Sequence, residues 1–227
     1  MIRLFDIFLS LIAILVLSPL LIPIALILLF TGEYKIIYNQ SRVGRGGSLF
    51  TLFKFATMLE NSPNLPGGEI TTGNDPRVLP FGKFLRKSKI NELPQLINIL
   101  IGDISIVGPR PLTPRNFSFY DEKTQEIIKE TKPGLTGIGS IVFRDEESVI
   151  KKSCKSSIDC YKEDISPYKG NLEQWFSSNQ SIITYFTIIL LTGYYIFIPN
   201  SKIIWKIFID LPPVPDRLKS SLNYSNT

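Results

Sequence analysis

The sequence predicts a mostly helical α/β protein held at a membrane by its N-terminal segment. Three observations carry this. A near-continuous apolar run covers residues 7–30. Two short β-prone stretches flank a glycine turn at residues 44–47. Beyond Pro80, apolar residues recur mostly at helical spacing.

The first run is long enough to cross a hydrocarbon core of ~30 Å. It is too long for a signal-peptide core and has no small-residue cleavage site, so it is expected to be retained. Ser18-Pro19 and Pro23 interrupt it. Each proline removes a helical N–H and crowds a carbonyl one turn back. The Ser18 hydroxyl can satisfy one group freed at the bend. Two arrangements fit: a kinked spanning helix, or a helix–break–helix that enters and leaves on one side. Arg3 before the run and Lys35, Arg42 and Arg45 after it put positive charge on both flanks, so the flanks do not choose between them.

Residues 35–39 and 49–55 predict two strands around the glycine turn, and 61–80 a mobile loop rich in Pro, Gly, Asn and Thr. Over 81–101, Phe84, Ile90, Leu93, Leu96, Ile97 and Leu100 can share one helical face. Pro94 suits the first turn of a helix capped by Asn91. Residues 121–131 predict a short charged helix, 132–134 a turn and 138–143 a strand. Residues 145–160 and 161–179 read as helical or mixed. Residues 182–198 and 203–209 are apolar and rich in aromatic rings, which collect at headgroup level. At about 17 residues, the first of these is short for a span. Both therefore read as helices lying on the membrane. Residues 216–227 predict a frayed tail.

Composition excludes several classes. The chain has 227 residues, a net charge of +5 and no histidine. That removes histidine acid–base catalysis, Ser-His triads and His-ligated metals. The first 33 residues hold only Arg3, Asp6 and Glu33, leaving 24 basic and 18 acidic residues behind them. A basic body suits an anionic membrane face. The basic residues are scattered and no recognition motif is present, so no nucleic-acid partner is expected. Cys154 and Cys160 make no disulfide framework and read as reduced.

The segment 85–112 combines Arg86-Lys87, Asn91-Glu92, an apolar helical run and the loop Gly108-Pro109-Arg110-Pro111. Such a mix suits a site that grips a phosphorylated substrate beside a membrane, and arginine grips phosphate best because it engages two oxygens at once. Arg110 between two prolines is held on a stiff backbone. Arg86, Lys54 with Thr57, and Arg144 are further candidates for binding substrate phosphate. Glu92 taken alone reads as a helix N-terminal charge that meets the macrodipole. Asp103 reads as structural.

Several segments together resemble the bacterial sugar transferases, the small monotopic phosphoglycosyl transferases. They are RLFDIF at 3–8, Ser18-Pro19, NQSRVGRGGSLFTLFKFATM at 39–58 and GNDPRVLPFGKFLRKS at 73–88. NELPQLINILIGDISIVGPRPL at 91–112 and KPGLTGIGSIVFRDEE at 132–147 follow. The resemblance implies a re-entrant hairpin over 1–33 broken at Ser18-Pro19, a cytosolic catalytic domain over 34–181, and interfacial helices and tail over 182–227. It implies Mg²⁺, with Glu92 and, more loosely, Asp159 as ligands. It implies transfer of a sugar 1-phosphate from a UDP-sugar to polyprenyl (undecaprenyl) phosphate, at the cytosolic face of the bacterial inner membrane among its lipids. A homodimer stays open.

Two positions depart from the family pattern. Asn91 stands where the nucleophilic Asp of an Asp-Glu dyad is expected, and Ala56 where an Arg is usual. Asn91 leaves three accounts: Glu92 acts as nucleophile and metal ligand, the lipid phosphate attacks directly, or the protein is an inactive relative that binds polyprenyl phosphate or nucleotide sugar.

Overall fold

The computed structural model describes residues 1–65, 75–222 and 224. Residues 66–74 of the loop expected over 61–80 lie outside them. The chain packs as two units: Met1–Arg42 with Leu49–Asp103, and Val43–Ser48 with Ile104–Thr227.

The first unit begins with α1 (Ile2–Phe30), one unbroken helix with Pro19 and Pro23 inside it. The expected interruption at Ser18-Pro19 is therefore not a break in the helix. Pro19 cannot donate to the Leu15 carbonyl, and Ser18 Oγ donates there instead at 2.8 Å. Near the start of α1, Arg3 donates to the carbonyls of Ile99 and Leu100. Near its end, Ile24 and Leu28 form a core cluster with Phe55 and Leu85. Between these anchors Leu15, Val16 and Ile22 are exposed. Among the described residues, α1 is the one helix long and apolar enough to cross a membrane.

Strands β1 (Ile37–Val43) and β2 (Leu49–Phe55) form a two-stranded sheet. The first begins two residues later than expected, and the second matches. After β2 come α2 (Pro80–Lys87), a 3₁₀ turn at Ile90–Glu92 and α3 (Gln95–Ile101). Gly82 lets α2 approach β2's exit closely, since a Cβ there would sit 2.2 Å from Thr57 O. The expected shared face is corrected. Leu85, Leu96 and Ile99 are buried, while Phe84 and Ile97 are exposed, because the two helices have separate axes joined by the turn. Pro94, not Asn91, precedes α3, and no side chain caps it.

The second unit contains β3 (Ser105–Val107), α4 (Pro114–Phe117), α5 (Glu122–Glu130) and β4 (Gly134–Thr136). The turn expected at 132–134 leads into β4, which runs parallel to β3 with Ser105 opposite Gly134 and Val107 opposite Thr136. A Cβ on Gly134 would lie 2.1 Å from Gly108 N, and one on Gly137 2.2 Å from Gly108 O. Only glycines allow this approach. Residues 138–143 fold as α6 (Ile138–Val142), not as a strand: Ile138, Gly139 and Ile141 are buried at helical spacing.

Then follow α7 (Glu146–Lys152), α8 (Ser157–Asp159), a π turn at Cys160–Ile165 and α9 (Ser166–Ser178). Tyr168, Leu172 and Phe176 of α9 are buried. The unit ends with α10 (Ile182–Phe197), capped by Ser181, then α11 (Ile203–Ile207) and α12 (Asp216–Lys219). The tail is not frayed throughout: Leu218 and Leu222 are buried. Cys154 is exposed, Cys160 buried, and both are free.

Candidate active site

In the first unit, β2 delivers Lys54 and the 3₁₀ turn delivers Glu92. Their Nζ and carboxylate oxygen are 3.7 Å apart, with side chains 15% and 16% exposed. The turn begins at Lys89, whose backbone is left-handed with φ 61°. A non-glycine residue held there costs roughly 1 kcal/mol or more and marks a place where surrounding structure dictates backbone direction.

Asn91 is buried beside Glu92, and its Oδ1 meets no hydrogen-bond donor among the described residues. A buried amide oxygen without a partner costs about 1–3 kcal/mol, which makes it a point where a ligand or cation gains binding energy. Arg86 of α2 is half-buried and donates to the Met58 sulfur at 3.5 Å.

Three residues that sequence reasoning did not single out frame this region. Asn98 is fully buried. Its Nδ2 donates to Thr51 O and to Asp103 Oδ2, and its Oδ1 accepts the Phe53 N–H. It thereby fixes β2 one residue from Lys54, and gives Asp103 the structural role expected for it. Asp75 and Arg77 form a buried ion pair at 2.5 Å, with Arg77 also donating to Ser62 O at 2.9 Å. The Arg77 guanidinium holds the Asp75 carboxyl below its ordinary value, with a smaller contribution from the charge on Arg86. The signal for this pair was Asn74-Asp75-Pro76-Arg77 inside a matching segment. Asn98 gave none, sitting in an apolar helical run.

In the second unit, Arg110 follows β3 on the Gly-Pro-Arg-Pro loop. The loop is pinned by Gly134 N–H to Pro109 O at 2.8 Å and Gly108 N–H to Thr136 O at 2.9 Å. Arg144 follows α6. Its Nη1 is buried with no acceptor among the described residues, and desolvation lowers its pKa. A buried guanidinium nitrogen without an acceptor is suited to an anion. Asp159 is on the surface, where its carboxylate accepts from Ser156 Oγ at 2.6 Å as part of the α8 cap.

The structure thus brings Lys54, Asn91 and Glu92 together within one unit. Arg110, Arg144 and Asp159 belong to the other. Among the described residues, no three Asp, Glu or Cys side chains cluster as a metal cage. Mg²⁺ needs no such cage, because it keeps waters and takes one or two protein oxygens beside substrate phosphates. Glu92 and the Asn91 amide oxygen fit that pattern.

Residues 1–198 match the bacterial sugar transferase family. The chain belongs to that family. Among individual relatives of this sugar transferase, an exopolysaccharide production protein of Sinorhizobium fredii is 34% identical over 160 residues, covering 64% of this chain and 70% of that protein. The undecaprenyl-phosphate galactose phosphotransferase of Salmonella typhimurium is 35% identical over 63% of this chain and 33% of its own length. The UDP-glucose:undecaprenyl-phosphate glucose-1-phosphate transferase of Xanthomonas campestris is 37% identical over 62% of this chain and 30% of its own. Against those two phosphotransferases, the sugar transferase chain spans about a third of their length.

Proposed function

We propose that this sugar transferase moves a sugar 1-phosphate from a UDP-sugar to polyprenyl (undecaprenyl) phosphate, as a first membrane step in building a bacterial surface glycan. The observation that carries this reading is the largely shielded Lys54–Glu92 pair beside the amide oxygen of Asn91, which has no hydrogen-bond partner among the described residues. The activities for which the Salmonella and Xanthomonas relatives are named support the choice of substrates.

Phosphoryl transfer needs positioned cations and charge neutralisation more than covalent chemistry. Lys54 and Arg86 are the cations assigned to substrate phosphate in the first unit, and Arg110 and Arg144 are the phosphate-binding candidates of the second. Glu92 and Asn91 Oδ1 would hold Mg²⁺, which supplies charge neutralisation on the pyrophosphate when bound. Asp159, tied into its helix cap, is the weaker ligand of the two carboxylates first considered.

With Asn91 neutral, Glu92 is the carboxylate available to attack the phosphorus that bears the sugar. That attack forms a carboxyl–phosphate bond and breaks the bond to UMP. The lipid phosphate oxygen then attacks the same phosphorus, frees Glu92 and yields polyprenyl diphosphate sugar. Direct attack by the lipid phosphate gives the same products without the covalent stage. A UDP-sugar panel with Mg²⁺ and undecaprenyl phosphate tests the activity, and mass spectrometry of the peptide holding Asn91 and Glu92 separates the two routes. No product with any donor, beside an active relative, rules the activity out. It favours the second reading, a binder of polyprenyl phosphate or nucleotide sugar, which the loss of the dyad Asp motivates.

The same proposal sets α1 as a re-entrant segment at the cytosolic face of the inner membrane. Its support is that both ends of α1 are tied to one unit, by Arg3 to α3 and by Ile24 and Leu28 to Phe55 and Leu85. A straight 29-residue helix, about 43 Å long, would send its ends to opposite sides of the bilayer, so the re-entrant course calls for a bend without a break, for which Pro19 and Pro23 inside α1 are the natural place. Labelling of Leu4→Cys and Tyr34→Cys in intact spheroplasts decides this. Label at either position from outside contradicts the re-entrant arrangement.

A further inference from the structure

Beneath the Arg110 loop lies a buried polar cluster to which the reading above gives no role. Glu173 and Lys169, one turn apart on α9, are each 3% exposed. Lys169 pairs with Glu146 at 2.5 Å and lies over the rings of Phe143 and Tyr161. Tyr120 and Tyr161 are buried and hydrogen-bonded to each other.

Glu173 is unusual within this set. Its carboxyl accepts the backbone N–H of Arg110, and its Oε2 has no other partner among the described residues. Room for it exists because residue 139 is glycine: a Cβ there would sit 2.4 Å from Glu173 Oε1.

The backbone chemistry explains why such a group is needed. Pro109 and Pro111 carry no N–H, so Arg110 offers the one backbone donor in Pro-Arg-Pro. The β3–β4 ladder stops short of it, with Gly108 donating to Thr136 and Pro109 accepting from Gly134. An N–H shielded from water must find another acceptor or forfeit the hydrogen bond it made there. Glu173 is that acceptor, reaching the loop from a different helix. Burial pushes its pKa up, while Lys169 and the Arg110 N–H pull the other way.

We propose that Glu173 is a positioning residue for Arg110, fixing the loop from which the guanidinium meets substrate phosphate. The proposal rests on the assignment of Arg110 to phosphate binding. It goes beyond that assignment by naming what holds Arg110 in place.

The test uses the full chain in nanodiscs, with Glu173→Gln, Glu173→Leu and Arg110→Ala. Between Gly108 and Leu112, hydrogen–deuterium exchange reports Arg110 alone, since its two neighbours have no amide hydrogen. Removing the acceptor in Glu173→Leu is expected to speed that exchange roughly 10-fold or more, while Glu173→Gln stays near wild type because its amide oxygen still accepts. UDP with Mg²⁺ serves as a pyrophosphate probe in calorimetry, and its affinity is expected to fall about 10-fold in Glu173→Leu and to recover in Glu173→Gln.

Unchanged exchange in Glu173→Leu overturns the proposal. So does faster exchange spread equally over α5 and α9, which is general loosening, or faster exchange at Arg110 with UDP affinity intact. If Arg110→Ala leaves UDP affinity unchanged, the phosphate-binding role of Arg110 fails, and the exchange result still reports whether Glu173 holds the loop.

Discussion

Lys54 of β2 and Glu92 of the 3₁₀ turn meet at 3.7 Å across a sequence separation of 38 residues, and each is largely shielded from water. Neither strand nor turn alone places a charge usefully. Their packing sets a carboxylate beside a cation next to the buried Asn91.

Glu92→Gln is therefore expected to abolish transfer, with kcat falling at least 100-fold in the radiolabelled assay, as is usual when a nucleophile or principal charge is lost. Lys54→Gln leaves the carboxylate in place and is expected to act mainly on KM for the nucleotide sugar. Full activity of Glu92→Gln would remove this residue from the chemistry.

Asn91→Asp restores the family dyad in a site whose backbone is already formed. The expected outcome is a gain in rate of about 10-fold or more, together with a covalent phosphosugar adduct on the peptide carrying the new Asp. A slower enzyme with no adduct would argue that the direct route has replaced the two-step one in this chain.

The Asp75–Arg77 pair is buried, so removing one partner leaves the other charge uncompensated. Asp75→Asn is expected to cost roughly 3 kcal/mol in chemical unfolding. The pH dependence follows from the sign of the shift. Arg77 lowers the folded-state value of Asp75, so this contribution is complete above about pH 4 and is lost as pH falls through the lowered value. The deficit of Asp75→Asn should shrink in strongly acidic buffer.

Glu173 has the opposite sign. Its folded pKa is pushed up to about 8 by burial, against an ordinary value of 4.5. The folded state holds a proton that the unfolded chain releases between those values, so stability falls as pH rises across that window, by up to ~1.4 kcal/mol per unit. Lys169 and the Arg110 N–H pull against that rise and temper the slope, and Tyr120 also faces the carboxyl. Glu173→Gln should gain on wild type in thermal midpoint from pH 5 to pH 8. Parallel midpoints would show that Glu173 does not titrate there.

Gly134→Ala is expected to disrupt β3 and β4 and the Arg110 loop together, because the added methyl would sit 2.1 Å from Gly108 N. Circular dichroism and UDP binding should fall together. Gly46→Ala, also at a glycine but in open space with φ 71°, should cost about 1 kcal/mol and leave UDP binding alone.

Local chemistry made much of this protein legible from sequence. The apolar composition of α1 gave its length. The charged helix expected over 121–131 formed as α5, and β2 fell on the strand expected over 49–55. Asn91-Glu92, Arg86 and Arg110 were recognisable because charge, amide and proline crowd one short segment. Even the helper at the α1 proline was visible: Ser18 stands next to Pro19 and supplies the donor that proline lacks.

Other features depended on partners distant in sequence. Residues 138–143 look like a strand by composition, yet α9 packs on them as a helix because Gly139 leaves space for Glu173. The parallel β3–β4 pair is three residues long on each side and too short to announce itself; it exists because Gly108, Gly134 and Gly137 let two backbones touch. Asn98 and Glu173 read as ordinary helix residues until their acceptors and donors arrive from β2 and the Arg110 loop. Sequence by itself determined the family, the apolar anchor and the reactive segment, since these rest on residue type and near neighbours. Tertiary structure decided which carboxylate faces a lysine, which face of each helix is buried and what holds Arg110, because those depend on burial and on hydrogen bonds closed over long stretches of chain.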